Sequence, residues 1–121
     1  IGATPVPADL SWFCAVAAAI GAAEELCYRG FVQGALMKWG PWAAILLAAG
    51  AHAVYKSSLF LLPASGHGVI PWWLLGCTAA VGSLLGVLRR YAGGVMVPAA
   101  FHIIFDIVVY GDRAVSPWWV W

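Results

Sequence analysis

The chain has 121 residues, of which 64% are hydrophobic and 9% carry a formal charge, against about 25% charged residues in soluble domains. That balance excludes an ordinary water-soluble domain and points to a bilayer. A net charge of +1, with no basic run longer than the pair Arg89 and Arg90, excludes an electrostatic footprint for nucleic acid.

Segment A runs from about Leu10 to Trp39 with an Ala-rich helical composition. Segment B runs from Pro41 to Leu62; it opens at the Gly40-Pro41 break and closes at the turn-rich stretch Pro63 to Gly68. His67 in that stretch reads as an exposed loop histidine. Segment C, Val69 to Leu88, has no charge over its length and at about 1.5 Å per residue crosses a hydrocarbon core of about 30 Å. Segment D runs from about Gly94 to Tyr110 after the Gly93-Gly94 punctuation. The expected fold is all-α, an integral membrane bundle of about four transmembrane helices forming one core over residues 1–121. Residues 111–121 read as an interfacial tail anchored by Trp.

The chain opens on Ile1 without a basic stretch leading to a small-residue cleavage site, so a trimmed core of a longer multi-span protein is expected. Cys14, Cys27 and Cys77 are odd in number, widely spaced and set in apolar stretches. Neither a disulfide framework nor a CxxC metal site is suggested, and each reads as small core filler.

Basic residues in short loops set the orientation. Lys38 lies at the A to B turn and Arg89 and Arg90 at the C to D turn, on one side of a four-span bundle, which makes that side cytoplasmic. Trp39 and Trp42 belong to the same side, while Trp12, Trp72, Trp73, Trp118, Trp119 and Trp121 belt the other. Gly82 and Gly86 form a small-xxx-small pair that lets segment C pack closely on a neighbour.

Glu24, Glu25, Arg29, Lys56 and Asp106 fall inside hydrophobic segments, joined there by His52 and His102. A central charge costs about 2.5 to 3.5 kcal/mol to insert, so these side chains must face the bundle interior. Residues four apart share a helical face, which pairs Glu25 with Arg29 and His102 with Asp106. Glu24 is left without a cationic partner in its own helix, a situation suited to a general base. The Asp106 carboxyl is placed to fix the tautomer and orientation of the His102 ring. Lys56, one turn beyond His52, either lines the same cavity or snorkels to an interface. By helical rise, His52 lies roughly 15 Å in from Trp42, His102 roughly 16 Å from Tyr91 and Glu24 roughly 22 Å from Trp39, so the three can meet. For Glu25 and Arg29 a purely structural ion pair is the competing reading.

The run Glu24-Glu25-Leu26-Cys27-Tyr28-Arg29, followed by Gly30, resembles the EExxxR motif of the CAAX prenyl protease and bacteriocin-processing family of intramembrane proteases. The family's second motif, a His in the next helix, is matched by His52. Its third, a His with Asn or Asp four residues on, is matched by His102 and Asp106. The resemblance covers nearly the whole chain, and three motifs in order on separate helices are specific where any one is weak. It implies that Glu24 and His52 activate a water, that His102 and Asp106 bind the oxyanion, and that Glu25 and Arg29 support the site. Two positions depart from the pattern: Ala48 stands where the family usually has Phe, and Asp106 replaces the Asn of many members. An ionised Asp cannot donate to an oxyanion, so Asp106 is either protonated or orients His102.

The resulting expectation is a glutamate-type endopeptidase in a prokaryotic plasma membrane, acting without a cofactor on membrane-anchored proteins or peptides: CAAX tails, bacteriocin leaders or sorting tails. Cys27 inside the first motif is similar to sorting-type members. The enzymatic alternative is a metalloprotease, with His52, His102 and Asp106 as zinc ligands and Glu24 as base. Buried Glu, Asp, His and Lys are also the parts of proton relays, so a proton- or ion-coupled transporter fragment is the non-enzyme alternative. The paired repeat with broken helices that a transporter would show is not visible in the sequence.

Overall fold

Ser11 opens the first helix, its hydroxyl accepting the backbone N–H of Cys14 at 3.2 Å, which satisfies one of the amides a helix start leaves unpaired. In the computed structural model, which describes residues 11–66 and 68–111, α1 spans Trp12–Glu25. Without a break in the helical path, α1 passes into a π-helical stretch at Leu26–Val32, then α2 at Gln33–Leu36 and a 3-10 turn at Met37–Trp39. Segment A is therefore one helical run whose winding changes at its polar middle. In an α-helix, residues four apart drift about 40° around the axis; the wider π turn offsets that drift. Glu25, Arg29 and Gln33 accordingly form one fully buried column.

Gly40, at φ 98°, turns the chain where an L side chain is strained, and Pro41 starts α3, Pro41–Ser58. α4 covers Trp72–Ala92 and ends at Gly93 in the left-handed conformation, after which α5 covers Met96–Tyr110. Segment C is thus shifted from its expected bounds. Pro71 delays its start to Trp72, and Arg89 and Arg90 lie in the last helical turn rather than in the loop.

The molecule is a helical membrane bundle. α3 and α4 reach the length and apolarity of a membrane span, and α5 is a shorter apolar helix. Large apolar side chains such as Leu46, Val54 and Ile104 point outward, the arrangement expected when lipid replaces water as solvent. The charges of segment A are turned inward, as their insertion cost requires.

Two interfaces dominate: α3 against α4, and α1 against α5. In the first, a Cβ placed on Gly82 would meet Ala49 Cβ at 3.2 Å, and one on Gly86 would meet Ile45 at 3.0 Å and Gln33 at 3.1 Å. The expected small-residue packing is present. The Ser11 N–H donates to the Gly111 carbonyl at 3.0 Å, tying the start of α1 to the end of α5. At the opposite end Arg90 lies over the Trp42 ring at 5.5 Å and Lys38 over Trp39 at 5.5 Å, so the basic residues and their Trp partners share one end.

Cys14 is buried, but Cys27 and Cys77 are exposed, Cys77 on the lining of an open cavity, which corrects the reading of all three as core filler. His67, Trp118, Trp119, Trp121 and the expected tail lie outside the described residues.

Candidate active site

The two columns on segment A divide the polar work. Glu25, Arg29 and Gln33 face the interior, 0 to 1% exposed. Arg29 Nη1 is ion-paired with Glu25 Oε1 at 3.0 Å, the i,i+4 pair expected from spacing. Gln33 Nε2 donates to the Gly86 carbonyl at 3.1 Å, a contact that the absence of a side chain at Gly86 permits. Glu24 and Tyr28 lie on the adjacent strip.

Across from them, α3 contributes His52 and Lys56 and α5 contributes His102 and Asp106. His52 Nε2 is 3.2 Å from Glu24 Oε2, and Lys56 Nζ is 2.5 Å from Glu24 Oε1. Glu24 lacks a cation in its own helix, but tertiary packing supplies one from α3, and Lys56 turns to the cavity rather than to an interface. His102 Nε2 sits 3.8 Å from Glu24 Oε2 and 3.9 Å from Asp106 Oδ2. All four residues expected to carry chemistry, Glu24, His52, His102 and Asp106, meet in one place, as do Glu25 and Arg29.

One expectation changes. The His102 ring is held through Nδ1, which donates to Glu25 Oε1 at 2.9 Å, while Asp106 stands at 3.9 Å from the other nitrogen. Glu25 is therefore the ring's orienting carboxylate, because it reaches hydrogen-bond distance from a different helix while Asp106 does not. Glu25 Oε1 is also ion-paired with Arg29, so one buried oxygen links α1, the π stretch and α5.

Arg29 Nη1 also reaches His52 Nδ1, at 2.9 Å. Tyr28 stacks on the face of the same imidazole, ring centroids 4.4 Å apart and 17° from parallel. Thus His52 is fixed in the plane of its ring by Arg29 and across it by Tyr28.

Three residues escaped the sequence reading: Tyr28, Gln33 and Gly21. A Cβ on Gly21 would run into the Asp106 carboxylate and lie 3.1 Å from the His102 ring. The signal was present in the spacing. Gly21 and Gln33 are four before and eight after Glu25, and Tyr28 is four after Glu24, so the same face arithmetic that paired Glu25 with Arg29 reaches all three.

The cluster forms the polar floor of a cavity of about 790 Å³. Its walls are apolar, with Trp73, Val81 and Leu84 from α4 and Phe101, Phe105 and Val109 from α5, and α4 touches α5 far less than it touches α3. Converging carboxylates and imidazoles at the bottom of an apolar cleft are able to hold a water and move its protons.

Fold and site together define a helical membrane protein with a buried carboxylate and imidazole centre. The chain belongs to the Type II CAAX prenyl endopeptidase Rce1-like family, a family of membrane-embedded proteases, which it matches over residues 6–108. It is 32% identical over 89 residues to the uncharacterized protein YpbD of Bacillus subtilis (strain 168), an overlap that takes in 74% of this chain and 39% of the relative. The chain thus spans about two fifths of the length of that curated relative. No solved structure matches it.

Proposed function

We propose that the protein is an intramembrane endopeptidase in which Glu24 is the general base, drawing a proton from a water that attacks the scissile carbonyl. The observation that carries this reading is the placement of Glu24 at the cavity floor, 8% exposed, with His52 and Lys56 on its two oxygens and His102 facing it. Lys56 supplies the nearby positive charge that keeps such a carboxylate usable in an apolar surrounding. The substrate is a membrane-anchored protein or peptide of CAAX, bacteriocin-leader or sorting-tail type, whose lipid-borne segment matches the apolar walls. The end carrying Lys38, Arg89 and Arg90 is cytoplasmic in a prokaryotic plasma membrane, following the basic-residue bias.

The reaction proceeds without a metal in this reading. A zinc ion on His52 Nε2 would require the other ring nitrogen to carry a hydrogen, and that nitrogen faces the Arg29 guanidinium, which has only donors. That contact supports the glutamate scheme over the zinc set His52, His102 and Asp106.

The test is cleavage of a membrane-anchored reporter by the full-length protein in native membranes, for wild type and Glu24→Gln, with and without a strong chelator. We expect the variant to lose at least about a hundredfold in rate and wild type to be unaffected by the chelator. Undiminished cleavage by a folded Glu24→Gln protein removes the base assignment. Chelator-sensitive cleavage restored by zinc moves the mechanism to the metal class.

A further inference from the structure

The described cations outside the site gather at one end of the bundle. Lys38 lies in the 3-10 turn that closes segment A, and Arg89 and Arg90 lie in the last turn of α4. Arg89 packs on segment A, its Nη2 3.5 Å from where a Cβ on Gly34 would stand, and Lys38 is one turn beyond Gly34. Arg90, the next residue, reaches over the Trp42 ring at the start of α3. Three cations therefore surround the Gly40 turn between segment A and α3.

Their charge is not met within the protein. Among the described residues the acidic side chains are Glu24, Glu25 and Asp106, all buried in the site, so no described carboxylate stands at this end. Arg89 shows the lack most directly. Its side chain is half-buried, and its Nε is buried without a hydrogen-bond partner, which costs free energy until an acceptor is found. A small rotation of the guanidinium would bring Nε and a terminal nitrogen to one phosphate as a fork.

The surroundings are those of a headgroup region. Trp39 and Trp42 are 61% and 56% exposed, and Trp at the end of a membrane bundle sits at the level of the lipid headgroups. Lys38 and Arg90 lie 5.5 Å over these two rings, which holds both cations at that level. Gly40, ahead of α3, brings no side chain to cap the first amides of that helix, and this adds to the positive field of the patch.

We propose that this end of the bundle is a binding site for the phosphate of an anionic phospholipid, held by Lys38, Arg89 and Arg90 with Trp39 and Trp42 flanking its glycerol. Charge complementarity selects the occupant. A zwitterionic lipid brings its own cation to the same place and gains little, whereas each Lys or Arg near an anionic membrane surface adds about fivefold in affinity. A soluble phosphate offers the same oxygens but no acyl chains, for which the exposed Met37, Trp39 and Trp42 provide apolar cover.

Occupation of the site reaches the frame of the molecule. Arg89 stands one turn past Gly86, whose carbonyl accepts Gln33, and Gln33 adjoins the Gly34 on which Arg89 packs. A phosphate that fixes Arg89 against segment A therefore tightens the junction of segment A with α4, where the column of Glu25, Arg29 and Gln33 ends. The stability of the bundle then depends on the charge of the lipid around it.

The test uses the full-length protein in vesicles of phosphatidylcholine alone and in vesicles with increasing proportions of phosphatidylglycerol. The thermal midpoint is read in each, and native mass spectrometry after release into a neutral detergent shows the phosphatidylglycerol that stays bound. We expect the midpoint to rise and saturate with phosphatidylglycerol, and that lipid to be retained on the protein in preference to phosphatidylcholine. Lys38→Gln and Arg90→Gln, both at exposed positions, should each raise the half-saturating proportion about fivefold, and the triple variant that adds Arg89→Gln should lose the rise. Inorganic phosphate added to the protein in neutral detergent should leave the midpoint unchanged. A midpoint indifferent to phosphatidylglycerol overturns the proposal, and so does an equal rise in wild type and triple variant, which would mark a general effect of surface charge. A matching rise with inorganic phosphate overturns the lipid as occupant. If the triple variant fails to fold, the two single variants decide, since each keeps two of the three cations. The reading of Glu24 as base stands or falls separately: Glu24→Gln leaves this patch intact and should show the full rise.

Discussion

α4 has two faces that do opposite things. One, carrying Gly82, Leu85 and Gly86, presses on the small residues of α3, where Ala44, Ala48 and Ala49 are at most 1% exposed. The other, carrying Trp73, Val81 and Leu84, stands off from α5 and walls the cavity. Lipid gives helices no hydrophobic reason to associate, so contact depends on how closely backbones approach. Glycine and alanine close the α3–α4 seam, while Trp, Leu and Phe hold the α4–α5 cleft apart. The seam is the frame, and it also fixes His52, Gln33 and Arg29; the cleft is where a substrate segment has room. Ala48, in place of the Phe usual in the family, belongs to the seam, one turn before His52.

The contrast is broken most severely from inside the frame. Arg29→Met leaves Glu25 buried without its cation and His52 without its Nδ1 donor; removing one partner of such a pair costs about 3 to 5 kcal/mol, and we expect the protein to be lost from membranes on a blot. Gly82→Val is next: a Cβ there meets the Arg29 guanidinium and Ala49, overpacking costs about 1 to 3 kcal/mol, and a lowered midpoint in a thermal solubility assay measures it. Gly21→Ala tests the site more than the frame. Its methyl displaces the Asp106 carboxylate and crowds His102, so cleavage should fall about tenfold, in line with the cost of misplacing catalytic groups, at near-normal abundance. The smallest effect is expected at the cleft. Leu84→Ala, 69% exposed in the bundle, should change stability by less than about 0.5 kcal/mol and alter KM for a lipid-anchored reporter more than kcat. A large stability loss there would show that the cleft, too, is a packed seam.

Much of the site was legible because helices repeat. Periodicity pairs Glu25 with Arg29 and puts His102 over Asp106 on one face; the cost of charge in lipid turns Glu24, His52 and Lys56 inward. Spacing also contained Tyr28, Gly21 and Gln33, but a tyrosine, a glycine and a glutamine carry no insertion penalty large enough to single them out. The same spacing misled at Asp106: four residues from His102 on one helix, it stands at 3.9 Å, while Glu25, 77 residues away in sequence, holds the ring at 2.9 Å.

Composition and local pattern alone determined that the chain is helical, that it belongs in a membrane, and which polar residues share a face, because apolarity, insertion cost and the 3.6-residue repeat are properties of neighbouring residues. Tertiary structure alone decided which charge meets which: Lys56 with Glu24, Arg29 with His52, Glu25 with His102. Those pairings depend on the rotation and approach of separate helices, set by the glycine seam and the π stretch. A hydrogen bond forms only once its two groups are within about 3 Å, and that distance is a property of packing rather than of order along the chain.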